Sequence, residues 1–331
     1  MHQSVCGMPA KVPASPGSLH PRNIHQGRYD LAALCKSCPE LKAFLKRNPK
    51  GEDTVDFSDS QAVLCLNKAL LAHHYQIANW QIPEGFLCPP IPGRANYIHY
   101  AADLLTSAAQ AQVPTGKKVN VLDIGIGANC IYPIIGSQSY GWKFVGTDID
   151  PVAVKVAEVI VQSNPRLSKL VTVRLQTDPN AVFKGIIKAD DYFDLTVCNP
   201  PFHASSADAQ EANQRKRNKL NKGTKTCPGN DNASPLNFGG QNTELWCDGG
   251  ELGFLTRMIT ESVEFSQQVY CFTSLVSKKE NLTPLKKLLS RFGASKVDVV
   301  ATSQGHKISR LLAWSFLTPR QRQAWFQQRD F

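Results

Sequence analysis

The sequence predicts an α/β protein built on an open, mostly parallel, doubly wound sheet. Three observations carry that expectation. Short apolar runs at Lys118–Ile124, Lys143–Thr147, Val171–Leu175 and Phe193–Cys198 have the length and β-branched content of buried strands. Helical stretches separate them, the clearest running from Pro151 to Gln162, and strands alternating with helices imply parallel pairing. Turn signals then close the strands. Gly125-Ile126-Gly127 follows the first, Asp148-Ile149-Asp150-Pro151 the second, and Asn199-Pro200-Pro201-Phe202 the fourth. Ligands of such sheets sit beyond the carboxyl ends of the strands, so these turns mark where a site would lie.

Composition bounds the rest. The chain has 331 residues, 42 % of them hydrophobic, which is room for one large domain and an accessory segment. Lys and Arg outnumber Asp and Glu by 37 to 27, a formal charge of +10. That surplus favours a polyanionic partner such as nucleic acid, although solubility accounts for part of it. Nothing approaches eighteen uninterrupted apolar residues, so no membrane span is expected. Residues 1–19 are rich in Pro, Ser and Gly without an apolar run, and read as a disordered leader rather than a signal peptide. Of ten cysteines only Cys35 and Cys38 form a C-x-x-C pair. Without a second pair, buried free thiols in a reducing cytoplasm are a better account than zinc or disulfides.

The amino-terminal part is read as a basic arm and a helical cap, together residues 20–93. The arm, His20-Pro21-Arg22-Asn23 to Arg28-Tyr29, offers Arg22 and Arg28 to phosphate; a solvated loop fits it equally. From Asp30 to about Ala72 the apolar spacing is helical, with Leu34, Leu41, Phe44 and Leu45 on one face. The Pro-rich stretch Phe86–Gly93 ends the cap. A helix from Arg94 to about Ala109 opens the main domain, residues 94–318, and Arg94 at its start could reach a carboxylate.

The turns supply the chemistry. The glycine pair lets a cofactor approach the backbone closely, but Cys130 stands where a dinucleotide fingerprint needs its third glycine, which counts against a dehydrogenase. Asp148 can accept hydrogen bonds from both ribose hydroxyls of a nucleoside, each charged bond contributing about 1.5–3 kcal/mol. It could instead cap the helix at Pro151, where Asp150 is better placed. In the Asn199 turn, an amide oxygen and a carbonyl can accept from one planar exocyclic amine. Its prolines fix φ and remove donors, and Phe202 offers a ring for stacking. In this order the three turns fit S-adenosylmethionine and an amino-group acceptor. Beyond them residues 204–249 lack regular pattern and carry Arg215, Lys216, Arg217 and Lys219, either a phosphate-meeting loop or a solvated charge run. A helix (Glu251–Phe265), a strand (Val269–Leu275), a helix (Pro284–Phe292) and two strands (Lys296–Ala301, Leu311–Phe316) complete the sheet, before a tail at 319–331.

With these motifs the chain resembles the bacterial 23S ribosomal RNA adenine-N6 methyltransferases, the RlmF family, whose eukaryotic relatives methylate adenine in structured RNAs. The matching runs are His20-Pro21-Arg22-Asn23, Cys88-Pro89-Pro90-Ile91-Pro92-Gly93-Arg94 with Asn96-Tyr97-Ile98-His99, and Leu122-Asp123 through Gly127-Ala128-Asn129-Cys130-Ile131-Tyr132-Pro133. Asn199-Pro200-Pro201-Phe202-His203, Phe238-Gly239-Gly240 and Gly249-Gly250-Glu251-Leu252 follow. The resemblance implies a class I S-adenosylmethionine-dependent methyltransferase, Rossmann-like, with a mostly parallel seven-stranded sheet and an N-terminal helical and basic extension. It implies cofactor contacts from Arg94 (methionine carboxylate), Asp123, Gly125, Gly127, Asp148 (ribose), Asn180 and Asn199, with Gln176 as an alternative to Asn180. Asn199, Pro200 and Phe202 would carry the transfer. The implied partner is 23S rRNA or a large-subunit assembly intermediate, in the cytoplasm, with no membrane, metal or obligate protein partner. The rivals are a protein glutamine N5-methyltransferase, whose turn more commonly ends in tyrosine, and a catalytically silent RNA-binding assembly factor. A DNA adenine methyltransferase also fits the chemistry.

Overall fold

The structure is a computed structural model and describes residues 18–106, 112–203, 245–304 and 307–327. Helix α1 (Leu31–Ser37) starts on Asp30, whose carboxylate accepts from Ala33 N at 2.9 Å. The helical run expected from Asp30 to Ala72 is interrupted. A 3-10 turn (Pro39–Phe44) leads to a hairpin of β1 (Leu45–Arg47) and β2 (Asp53–Val55), and α2 (Ser60–Tyr75) comes only after it. The cause is local: Asn48 Oδ1 accepts from Lys50 N and Glu52 N at 2.9 and 3.0 Å, folding the chain back on itself. Helix α3 (Ile91–Leu104) begins three residues before Arg94, because Pro92 fits the first turn, where no N–H is required.

The parallel strands are β3 (Asn120–Ile124), β4 (Lys143–Asp148), β5 (Val171–Leu175) and β6 (Leu195–Cys198), ordered β5-β4-β3-β6. Helices α4 (Ile131–Tyr140), α5 (Pro151–Gln162) and the short α6 (Pro165–Ser168) cross between them. The chain steps outward from β3 to β5 and then returns to the other side of β3. That reversal leaves a crevice beyond β3 and β6. Helix α7 (Gly250–Ser262), β7 (Phe272–Val276), α8 (Leu282–Arg291), β8 (Lys296–Gln304), β9 (Lys307–Ser315) and α9 (Pro319–Gln327) follow. Strand β9 pairs antiparallel with both β7 and β8.

In place of one seven-stranded ladder there are therefore a four-stranded and a three-stranded sheet. Main-chain bonds link their facing edges, from Tyr270 N to Phe193 O at 2.9 Å and from Thr196 N to Cys271 O at 3.0 Å. Alternation along β3 divides the core. Val121 joins a cluster with Leu34 and Leu66 of the cap and Ile98 of α3, while Leu122 joins Phe183, Leu255 and Trp314 on the other face. Full burial of each such aliphatic side chain contributes about 1.5–3 kcal/mol, so the cap is fixed to the sheet. The tail segment also packs: Trp325 Nε1 donates to Asp194 Oδ1 at 2.7 Å.

Candidate functional site

A cleft partly open to solvent lies beyond β3, β4 and β6. Arg94, Gly125, Gly127, Asp148, Asn199 and Pro200 all line it, so the three turns and the start of α3 converge as expected. The glycine turn is tied to the end of β4, with Gly125 N and Ile126 N donating to Thr147 O at 2.8 and 2.9 Å. Gly125 has φ +75°, and a Cβ there would meet nothing within 4 Å. The constraint is thus conformational, and the space above the turn is open. Cys130, at the third-glycine position, takes a left-handed φ of 53° at the start of α4.

Asp148 is less free than its sequence suggests. Its carboxylate accepts from Gly127 N at 2.9 Å and Asp150 N at 3.0 Å, while Asp150 caps α5 through Val152 N. Burial raises the Asp148 pKa, and those backbone bonds oppose the rise. A carboxylate has about four lone-pair sites, so two remain for a ligand's hydroxyls. Arg94 Nη1 donates to Tyr132 Oη at 2.8 Å and its guanidinium lies 5.5 Å from that ring's centroid. Its Nε is buried with no partner among the described residues.

The remaining expected residues divide. Asp123 is fully buried, does not line the cleft, and both its oxygens lack a partner among the described residues. Burial and the nearby charge of Asp148 push its carboxyl well up, against the pull of Arg94. Asn180 is exposed and does not line the cleft, whereas Gln176 does. Pro200 and Pro201 line the cleft but Phe202 does not; its N donates to Leu245 O at 3.2 Å.

Several residues in or behind the cleft wall carried no expectation. Tyr97, fully buried, accepts from Cys198 N at 3.0 Å and shares a hydrogen bond with Thr273 Oγ1 at 2.8 Å, which fixes the strand end before Asn199. Trp246, Phe254 and Arg257 also form part of the cleft wall. Trp246 Nε1 is buried without a partner among the described residues, and Arg257 lies 5.9 Å over the Phe254 ring. Tyr97 and Tyr132 stood inside the motifs. Trp246 lies within the irregular stretch 204–249, where periodicity gives no signal.

The basic arm is a clasp. His20 Nε2 and Arg22 Nη2 meet Asp103 at 3.0 and 2.6 Å, and Arg22 also donates to His99 O and Tyr140 Oη, both at 3.0 Å. Burial pushes the Asp103 pKa up, but these bonds outweigh it and the net direction is down. Arg28 pairs with Glu52 at the surface. The guanidiniums of Arg22 and Arg28 are thus engaged within the chain. Arg215, Lys216, Arg217 and Lys219 lie outside the described residues.

A family model described as RNA methyltransferase matches residues 13–318. The chain belongs to that family. Ribosomal RNA large subunit methyltransferase F of Desulfotalea psychrophila is 61 % identical over 303 residues, covering 91 % of this chain and 95 % of the relative. Its namesake from Flavobacterium johnsoniae is 51 % identical over 319 residues, covering 96 % and 99 %. The hMettl16 catalytic domain, solved in complex with MAT2A 3'UTR hairpin 1, is 30 % identical with a TM-score of 0.73, covering 91 % of this chain and 96 % of that one. The N-terminal domain of human METTL16, solved in complex with SAH, is 28 % identical with a TM-score of 0.69 and coverages of 90 % and 99 %. As a member of the RNA methyltransferase family, the protein is a methyltransferase enzyme, and its α/β fold agrees with the expectation. No described helix is long and apolar enough to cross a membrane.

A methyl donor with an amino-acid end and a nucleoside end fits this cleft. The orphaned Arg94 Nε is suited to a carboxylate, the open space above Gly125 admits ligand against backbone, and Asp148 retains lone pairs for ribose.

Proposed function

We propose that the protein transfers the methyl group of S-adenosylmethionine to the N6 amine of one adenine in 23S ribosomal RNA. The observation that carries this reading is the Asn199-Pro200-Pro201 turn, which opens into the same cleft as Arg94, Gly125 and Asp148. Support for the donor comes from the neighbour solved with SAH. Support for ribosomal RNA comes from the relatives' name and from the neighbour solved with an RNA hairpin. A ribosomal substrate in turn implies a cytoplasmic enzyme acting on rRNA or an assembling large subunit.

When bound, S-adenosylmethionine supplies an electrophilic methyl group. The chain's part is orientation. Asn199 Oδ1 and the Pro200 carbonyl accept the two N–H bonds of the amine, whose lone pair is otherwise delocalised into the ring. Neither Pro200 nor Pro201 has a backbone N–H, so the turn presents only acceptors beside that amine. Holding amine and donor in one geometry provides most of the rate. The adenine must leave its stack, at a cost of a few kcal/mol. Aromatic stacking returns about 1–3 kcal/mol. Phe202 was the expected partner, and Trp246 and Phe254 stand in the cleft wall itself. Arg257, also in that wall, is read as a contact to a flanking phosphate. Cys130 and Cys198 are fully buried thiols whose pKa burial raises, which suits structural rather than nucleophilic roles.

The test is methyl transfer from tritiated S-adenosylmethionine, with deproteinised 23S rRNA, duplex DNA and a release-factor protein offered in parallel. Label in rRNA that digests to N6-methyladenosine is expected. Label in the protein would move the acceptor to glutamine, and label in DNA would move it to a duplex.

A further inference from the structure

We propose that Glu261 is a positioning residue for the methyl donor: it holds the cleft wall formed by Pro179, Ala181 and Val182 in its binding shape without touching the ligand. This rests on the reading of the cleft as the S-adenosylmethionine site. Residues 176–190 form neither helix nor strand, so their backbone N–H groups need partners from elsewhere. Glu261, near the end of α7 and 8 % exposed, provides three. Its Oε2 accepts from Val182 N at 2.7 Å, and its Oε1 from Phe183 N at 3.0 Å and Lys184 N at 2.5 Å. Gln176 closes the other end of the segment, with Nε2 donating to Lys184 O at 2.8 Å and Oε1 accepting from Asp178 N at 3.0 Å. Pro179, Ala181 and Val182, held by these two latches, line the cleft, and the segment is joined to Asp148 where Gln176 N donates to Asp148 O at 2.8 Å. The carboxylate thus fixes a stretch of cleft wall whose other end is hydrogen-bonded, through Gln176, to the residue read as the ribose acceptor.

The same helix carries its own control. Glu251, also buried, accepts from Ser277 N at 2.6 Å and Asn281 Nδ2 at 2.7 Å. The segment it holds, 277–281, does not line the cleft. Removing either carboxylate strands buried donors and destabilises the fold. The segment that Glu261 holds lines the cleft, whereas the one that Glu251 holds does not.

The experiment is calorimetric titration of SAH into wild type, Glu261→Ala, Glu261→Gln and Glu251→Ala, below their melting temperatures. Loss of a residue that orients a binding group typically weakens affinity about 10–100-fold. Glu261→Ala is therefore expected to weaken SAH about tenfold or more. Glu261→Gln, which keeps one acceptor oxygen, falls between Glu261→Ala and wild type. Glu251→Ala lowers Tm but stays within about twofold of wild type for SAH, the smallest change that titration resolves. In turnover the KM for S-adenosylmethionine rises while kcat at saturation changes little. Amide hydrogen exchange at Val182–Lys184 speeds up, and should Glu261→Ala fail to fold, Glu261→Gln with this exchange readout decides. Wild-type SAH affinity in both Glu261 variants overturns the proposal, as does an equal loss in Glu251→Ala, which would mean general loosening. A wild-type protein that does not bind SAH would overturn the cofactor reading itself, and that failure is visible before any substitution.

Discussion

At the amino-terminal clasp, Asp103 takes hydrogen bonds from His20 and Arg22 at 3.0 and 2.6 Å. In the cleft, Arg94 Nε and Trp246 Nε1 are buried without a partner among the described residues. Both regions are basic and aromatic, and charge alone would assign either one to RNA. A buried polar group left unpaired costs about 1–3 kcal/mol. It is retained where a ligand completes it. A cation already paired with a carboxylate of the same chain has part of its binding capacity committed to architecture. The clasp's cations are paired with carboxylates of the chain and act as a strut between the arm, α3 and α4. His25 Nδ1 and Tyr100 Oη there also lack partners among the described residues. The cation Arg94, whose Nε is unpartnered and which lines the cleft, points to the cleft as the working surface.

Substitutions can break or sharpen that contrast. Asn199→Ala should lower turnover about 10²–10³-fold, the usual cost of removing one preorganised hydrogen-bonding group, while SAH still binds; unchanged turnover would remove Asn199 from the chemistry. Arg94→Ala should weaken SAH about 10–100-fold, as expected for a lost charged hydrogen bond. Titration with SAH checks it, and an unchanged affinity would put the carboxylate elsewhere. On the clasp side the expected effect is on stability. Burial depresses the pKa of His25 to about 4 and of His99 to about 3, with neighbouring cationic side chains adding to the effect. Both lie below the ordinary value, so the unfolded chain binds more protons as pH falls. Their stabilising contribution is complete above about pH 6.5 and is lost progressively below it, by up to about 2 kcal/mol each at pH 5. The fall of Tm between pH 7 and 5 should be shallower in His99→Gln; an equal slope would exclude that residue. Arg22→Ala should cost about 1 kcal/mol, discounted because the side chain is 40 % exposed, and leave rRNA affinity within about twofold on a filter-binding assay, well short of one full phosphate contact. A large affinity loss would return the arm to the RNA.

Much of this was legible in the sequence, for identifiable reasons. The four parallel strands announce themselves by length and apolar continuity, and the turns after β3, β4 and β6 need particular residue types at particular places. Hence Gly125, Asp148 and Asn199 were found and do converge. The β1–β2 hairpin was missed because strands of three residues carry no period, and Leu41, Phe44 and Leu45 mimic a helical face. Arg22 was read as a phosphate contact because nothing local reveals Asp103, 81 residues away. Asn180 was placed by resemblance in a loop without regular structure, where Gln176 is the residue facing the cleft. Trp246 and Arg257 reach the cleft only through tertiary folding.

The most direct test is a crystal structure of the protein with SAH. The account predicts its carboxylate on the Arg94 guanidinium, its ribose hydroxyls on Asp148, and its sulfur facing the Asn199-Pro200-Pro201 turn. SAH bound with its ribose away from Asp148, or with its sulfur turned from Asn199, would contradict the assignment of this cleft to methyl transfer.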